Sequence, residues 1–80
     1  MDDGKVLQRI SELADEERTL EEAHVGEALP PAEVERLRRI EIELDRCWDL
    51  LRQRRARRSA GQDPDRATER DPSVVEGYQQ

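Results

Sequence analysis

Arginine is concentrated in one short stretch of the chain, and its guanidinium groups are the first candidates for chemistry. Five fall within seven residues: Arg52, Arg54, Arg55, Arg57 and Arg58. Guanidinium groups pair with nucleic-acid phosphates and release counterions as they bind. The alternative is structural, because cations at a helix end complement its dipole and pair with nearby acids. We favour the structural alternative, since the chain has a net charge of −6 and few stacking aromatics. The acids expected to meet these arginines are those of the tail and Asp2, Asp3 and Glu12.

A glutamate and a histidine one helical turn apart are candidates for metal binding. Glu21-x-x-His24 has the spacing of half of a di-iron site in helical bundles, where both side chains face inward. Such a site would need further carboxylates, for which Glu17, Glu33 and Glu41 are available. Because glutamate is abundant in this chain, an exposed histidine near the last carbonyls of its helix is the simpler interpretation. We therefore expect no bound metal or cofactor.

Cys47 is the only cysteine, so it cannot form an internal disulfide. A nucleophilic thiolate needs a nearby base and an electropositive, partly exposed setting. The only histidine, His24, is far from Cys47 in sequence, and the apolar rhythm around Cys47 predicts a small core residue. Because the chain also has no glycine-rich phosphate loop and no serine elbow, we expect a protein that is not an enzyme.

The elements that carry these residues are predicted to be two helices. In both halves of the first 58 residues, apolar residues recur at spacings of three and four, the rhythm of a coiled-coil-like seam. Pro30 and Pro31 interrupt the rhythm, and Pro31 suits the first turn of a new helix. The sequence predicts an all-α antiparallel hairpin with a helix over about 3–24, a turn over 25–31 and a helix over about 31–58. The predicted core and oligomer interface consists of Val6, Ile10, Leu13, Leu20, Leu37, Ile40, Leu44, Cys47, Trp48 and Leu51.

A single hairpin of this composition has little apolar material for a core. Only 34% of the 80 residues are hydrophobic, and domains this small usually need a disulfide, a metal or oligomerisation. Ile42 and Leu50 lie off the main seam, on a second side of the second helix, and are candidates for a second interface. We therefore predict a homodimer that forms a four-helix bundle.

Charge is segregated by element. Residues 1–29 carry nine acids and three bases, residues 30–58 six acids and nine bases, and residues 59–80 five acids and two bases. An antiparallel hairpin places the acidic first helix beside the basic second one. Glu17 is an exception, because it falls on the apolar seam. There it either reaches outward or meets an arginine of the second helix.

Residues 59–80 are predicted to form an irregular tail, because glycines and two Asp-Pro pairs interrupt it. Its apolar residues Val74, Val75 and Tyr78 either dock on the hairpin or await a partner. No stretch is apolar over the ~18 residues that a membrane span needs, and no secretion signal is recognisable. By elimination, and because of the single cysteine, we expect a cytoplasmic protein with no membrane partner.

Three stretches of the chain resemble one known family. They are the opening Met1-Asp2-Asp3, the run from Glu43 to Arg58, and the ending Val74-Val75-Glu76-Gly77-Tyr78. In these stretches the chain resembles a family of short actinobacterial proteins known only as a domain of unknown function. The resemblance covers nearly the whole chain. It implies a small helical cytoplasmic protein and brings no activity, cofactor or site residue.

The leading functional hypothesis is a protein–protein interaction or oligomerisation module, acting as an adaptor or regulator. Its expected partner is a second copy or an unidentified protein. One alternative is an accessory protein of nucleic acids that uses the arginines from Arg52 to Arg58, although we expect nucleic acid to be the less favoured partner. The other is a metal-binding helical bundle that uses Glu21 and His24.

Overall fold

The described residues of the computed structural model are 2–24, 26 and 28–70. All regular structure within these ranges is helical, which confirms the predicted fold class. Neither long helix of the described part is apolar enough to cross a membrane. The predicted anchors Val74, Val75 and Tyr78 lie outside the described residues, so their docking stays a prediction.

Two long helices and one short turn make up the part of the fold that the structure describes. Helix α1 spans Asp3–Glu22, helix α2 spans Pro31–Ser59, and a 3₁₀ turn spans Pro64–Arg66. Helix α1 ends two residues before the predicted boundary and α2 ends one residue after it. At 1.5 Å per residue, α2 is about 43 Å long and α1 about 30 Å.

Local chemistry sets the start of each helix. Asp2 caps α1, because its Oδ1 accepts a hydrogen bond from the Lys5 amide at 2.8 Å. That contact satisfies one of the amides that have no partner inside the helix. Pro31 is the first residue of α2, where the missing N–H would have had no helical partner.

A glycine with positive φ reverses the chain after α2. Gly61 has a φ of 74°, and the amide of Gln62 donates to the carbonyl of Arg57 at 2.7 Å. Glycine adopts this left-handed conformation without the strain that a Cβ would cause. Residues 62–70, called the return segment below, then run back along α2.

Ion pairs between the helices fix the antiparallel register. Arg9 donates to Glu43 at 3.2 Å, while Arg36, earlier in α2, pairs with Glu16, later in α1. These four residues form what we call the charged flank of the hairpin. The Arg36–Glu16 pair sets a base of α2 beside an acid of α1, as the segregation of charge predicts, whereas the Arg9–Glu43 pair is the reverse.

The core is small and follows the predicted seam. Seven apolar residues are buried within the described ranges: Val6, Ile10, Leu13, Ile40, Cys47, Leu50 and Leu51. Leu20 and Leu44 are partly buried against them, and so is Ala67 of the return segment. Leu37 is half-buried. Trp48, which the sequence placed in the same set, lies outside this core with 44% of its surface exposed.

The position of Leu50 differs from the one predicted from the sequence. The sequence made it a candidate for a second interface, but it is only 5% exposed and belongs to the core of its own chain. The physical reason is the return segment, which covers the side of α2 that a two-helix hairpin would leave open. Gln53 donates to the Thr68 carbonyl at 2.7 Å and Arg46 to the Arg70 carbonyl at 3.1 Å. Ile42 is half-buried, and its interface role stays a prediction.

Glu17 occupies a core position with a charge. It lies on the seam and is half-buried. Within the described ranges no arginine pairs with it, because Arg36 contacts Glu16 instead. Burial raises the pKa of Glu17, and the neighbouring charges of Glu21 and Glu41 raise it further. The ionised form of Glu17 therefore destabilises the folded state.

Truncation of the central core leucine tests the packing. Leu51 is 1% exposed, so we expect Leu51→Ala to lower the free energy of unfolding by about 2–5 kcal/mol, through lost burial and the remaining cavity. Val34→Ala is the matched control, because Val34 is 52% exposed on the same helix; its effect should be within about 0.5 kcal/mol. Urea unfolding followed by circular dichroism measures both. Equal effects of the two substitutions would contradict this core.

Neutralisation of Glu17 should stabilise the protein. We expect Glu17→Gln to raise the free energy of unfolding at pH 7 by about 0.5–1 kcal/mol, since two repulsive contacts and the burial of a charge are relieved. The gain should vanish below about pH 4, where the wild-type carboxyl is protonated in both states. Glu12→Gln, at an exposed acid of the same helix, should give no gain in the same urea titrations. A destabilised Glu17→Gln would refute this account.

Candidate interaction surfaces

The first site joins the two ends of the hairpin. Arg54 has only 5% of its side chain exposed, and its Nε donates to Asp3. Its Nη1 donates to Asp65 at 2.9 Å and to the Pro64 carbonyl at 3.2 Å. Arg58 donates to the second oxygen of Asp3 at 2.6 Å. We call Asp3, Arg54, Arg58 and Asp65 the Arg54 cluster; it ties α1, α2 and the return segment together.

The charges of this cluster stabilise one another. Hydrogen bonds from Arg58 and then from Arg54 lower the pKa of Asp3 to about 2, against the small opposing effect of burial. The pKa of Arg54 is raised, first by its bond to Asp3 and then by its bond to Asp65. Both partners are therefore ionised at neutral pH, and the hydrogen bonds between them are charge-assisted.

The Arg54 cluster weakens the phosphate-contact hypothesis. Arg54 is buried, so its guanidinium group is closed to a phosphate, whereas Arg58 holds Asp3 and keeps 43% of its side chain exposed. Arg52 and Arg55 are exposed, and Arg57 is half-buried beside the return segment. The acids that meet the arginines are Asp3 and Asp65, whereas Asp2 caps its helix. Two of the five arginines, Arg54 and Arg58, thus take the structural role that the sequence favoured.

A second polar network was not predicted from the sequence. Asp49 is only 1% exposed, and its Oδ2 accepts hydrogen bonds from Gln53 at 2.9 Å and from Arg70 at 3.1 Å. Gln53 also bonds the return segment through Thr68. The spacing of Asp49 and Gln53, one helical turn, hinted at a pair, but nothing in the sequence placed Arg70 over them.

An open groove lies beside this network. Its volume is about 690 Å³. It is lined by Asp49, Arg52, Gln53, Ala56, Arg57, Ala60, Gln62 and Arg70. The only carboxylate among these residues is that of Asp49, which already accepts two hydrogen bonds. The lining therefore presents cations and amides over small apolar residues, without an acid–base pair.

The candidate metal residues do not assemble a site. His24 Nε2 pairs with Glu33, at the start of α2, and this contact closes the turn end of the hairpin. Glu21 is exposed on α1. Within residues 2–24, 26 and 28–70, no group of three or more His, Cys, Asp or Glu side chains is placed to hold a metal ion. The metal-bundle alternative therefore has no geometric support there.

Cys47 is placed as a core residue rather than as a nucleophile. It is 3% exposed among the apolar side chains of the seam. Burial, followed by the charges of Glu43 and Glu69, raises the pKa of its thiol. The unreactive protonated form is therefore favoured.

One flank of the hairpin is apolar and exposed. Leu7 and Ala14 are seven residues apart, so they share a side of α1; Leu37 and Leu44 share a side of α2 in the same way, followed by Trp48 one turn later. Leu7 is 47% exposed and Trp48 44%. We call these five residues the apolar flank.

Helix geometry places the apolar flank opposite the charged flank. Leu7 is two residues from Arg9, which rotates their side chains to nearly opposite sides of α1. Trp48 is five residues from Glu43, a rotation of about 140° on α2. Since Arg9 and Glu43 meet on the charged flank, Leu7 and Trp48 lie on the other side of the seam.

The depressed pKa of Asp3 predicts a specific acid sensitivity. The carboxylate of Asp3 is protonated near pH 4 in the unfolded chain but only near pH 2 in the folded protein. The stability that Asp3 contributes is therefore complete above about pH 4 and is lost as the pH falls from about 4 to about 2. We expect Asp3→Asn to lower stability at pH 7 and to flatten the decline over this window. Urea midpoints at pH 2 to 6 measure it, with Glu12→Gln as the control. Parallel curves for Asp3→Asn and the wild type would contradict the Arg54 cluster.

Comparisons with known proteins agree with the resemblance noted above. The uncharacterized proteins Rv0898c and MT0921.1 of Mycobacterium tuberculosis and Mb0922c of Mycobacterium bovis are each 49% identical to this chain over 77 residues. The alignments cover 95% of this chain and 88% of each relative. No solved structure matches the chain. A family model described as "Protein of unknown function (DUF2630)" matches residues 2–80. The chain therefore belongs to this family of unknown function, DUF2630.

Proposed function

We propose that this protein is a small interaction module that self-associates through the apolar flank into a four-helix bundle. The observation that carries the proposal is the exposure of Leu7 and Trp48, two large apolar side chains on the same flank. Contiguous exposed apolar residues mark interaction surfaces in soluble proteins, and tryptophan is enriched among the residues that dominate binding energy.

The size of the core supports association. The described part of the chain buries seven apolar residues, and a single core in so small a domain rarely supplies more than about 3–5 kcal/mol. A second hairpin packed on the apolar flank would cover Leu7 and Trp48 and complete the burial of Leu37 and Leu44. Association of this kind adds stability in proportion to the apolar area removed from water.

The placement of the other surfaces leaves the apolar flank as the best candidate. Arg9, Glu16, Arg36 and Glu43 occupy the opposite side of the seam with ion pairs. The return segment covers the side of α2 around Asp49 and Leu50. The homodimer predicted from the sequence would therefore use the seam side marked by Trp48 rather than the side of Leu50.

The role that fits such a module is non-catalytic. Among the described residues, Cys47 is buried in the core, His24 is held by Glu33, and the carboxylate of Asp49 is held by Gln53 and Arg70. A dimeric hairpin instead offers a rigid helical surface, typical of adaptors and small regulators. The location of such a module in the cytoplasm is part of the same proposal.

A charge in place of Trp48 should prevent association without preventing folding. We expect Trp48→Glu to convert a dimer into a monomer, because the carboxylate would have to be buried without a partner. Helicity at 222 nm should be retained, since Trp48 is outside the core of the chain. Sedimentation equilibrium from 1 to 200 μM measures the change in mass. Leu44 is less suitable, because it also packs against the core.

Gln8→Glu is the matched control, an exposed position of α1 where the same charge faces solvent. It should leave the dimer intact. In the wild type, the emission of Trp48, the only tryptophan, should shift to longer wavelength on dilution through the dissociation range. A wild type that is monomeric at 200 μM, or a dimer that survives Trp48→Glu, would refute self-association through this flank.

A further inference from the structure

Opposite charges lie on α2 at equal distances before and after Trp48. Glu41 lies seven residues before Trp48 on α2, and Arg55 lies seven residues after it. Seven residues are about two helical turns, so all three side chains share one side of the helix. Both charged residues are exposed. The side of α2 that carries Trp48 is therefore acidic two turns before the tryptophan and basic two turns after it.

We propose that two copies of this chain pack with their α2 helices antiparallel and with Trp48 on the two-fold axis. This inference rests on the self-association proposed above and adds its geometry. In this arrangement Glu41 faces the partner's Arg55, and Arg55 faces the partner's Glu41. A two-fold interface brings each residue pair together twice, so all four of these charges are paired. The distance from Glu41 to Arg55 along α2, about 21 Å, sets the span of the contact.

The position of Leu7 on α1 fits the same two-fold axis. Asp3 lies opposite Arg54, and Arg9 lies opposite Glu43. Leu7 is between Asp3 and Arg9 on α1, and Trp48 is between Glu43 and Arg54 on α2. The two exposed apolar residues are therefore at the same level of the hairpin. A two-fold axis at Trp48 brings Leu7 of each copy together beside the tryptophan pair, which forms one apolar layer across the four helices.

The alternative alignment, with the two α2 helices parallel, is disfavoured by charge. Glu41 would then face the partner's Glu41, and Arg55 the partner's Arg55. Like charges facing each other across an interface are destabilising and serve to exclude an arrangement. The antiparallel alignment converts the same four charges into two attractive pairs.

Two charge-reversal variants of the full chain test this geometry. In a homodimer of Glu41→Arg, the new arginine would face the partner's Arg55; in a homodimer of Arg55→Glu, the new glutamate would face the partner's Glu41. Two attractive pairs become two repulsive ones in each case. We expect each homodimer to dissociate roughly tenfold more readily than the wild type at low salt. Both sites are exposed, so both variants should keep wild-type helicity.

Mixing the two variants is the decisive step. In a heterodimer, one chain carries arginine at both positions and the other carries glutamate at both, so every cross-chain pair is attractive. We expect the 1:1 mixture to form heterodimers with at least wild-type affinity. The preference for heterodimers should be weaker at 0.5 M NaCl, because salt screens the charge pairs. Native mass spectrometry resolves the two homodimers and the heterodimer by mass. The double variant Glu41→Arg/Arg55→Glu should dimerise like the wild type.

Arg39→Glu is the matched control for Arg55→Glu. Arg39 is exposed on the same helix and nine residues from Trp48, which places it on the opposite side of α2. It should change the dimer dissociation constant less than twofold and should show no preference for mixing with Glu41→Arg.

The outcomes separate the two proposals. Preferential heterodimers in the mixture support the antiparallel geometry. A wild-type dimer whose variants dimerise normally and mix statistically overturns this geometry and leaves self-association standing. A wild type that is monomeric by sedimentation overturns self-association, and the antiparallel geometry with it.

Discussion

The fold depends on one guanidinium group. Arg54 is almost fully buried near the end of α2, and it binds the first turn of α1 through Asp3 and the return segment through Asp65 and Pro64. A buried arginine is tolerated only where its donors are satisfied, because an unpaired buried charge is strongly destabilising. The three elements must therefore close around Arg54 together. The same closure orients α1 and α2 and leaves Leu7 and Trp48 exposed on one flank.

The sequence predicted the parts of the fold that depend on local chemistry and periodicity. Asp2 and Pro31 mark the starts of the two helices. The three–four spacing of residues such as Val6, Ile10 and Ile40 identifies the buried stripe. The short turn at Pro30 and Pro31 predicted the antiparallel pairing of the two helices. Each of these signals acts over a few residues or along one helix face, so the sequence alone is sufficient to read it.

The missed features all depend on the return segment. Leu50 was assigned to a second interface because a hairpin of two helices leaves that side of α2 open; residues 62–70 close it. The burial of Asp49 was not predicted, because it accompanies a contact with Arg70, which is 21 residues away. Long-range contacts of an irregular segment have no periodicity. The sequence therefore could not predict the buried network, nor that Leu50 is buried while Trp48 is exposed.

The Arg54 cluster also determines which residues position 54 can accept. Arg54 uses Nε toward Asp3 and Nη1 toward Asp65 and the Pro64 carbonyl, so its acceptors lie in two directions around a planar group. Lysine carries the same charge on a single nitrogen, which cannot reach both Asp3 and the acceptors on the return segment. Position 54 therefore requires the shape of arginine and not only its charge. An exchange of Arg54 for lysine, which appears conservative in a sequence, would remove the link between α1 and the return segment.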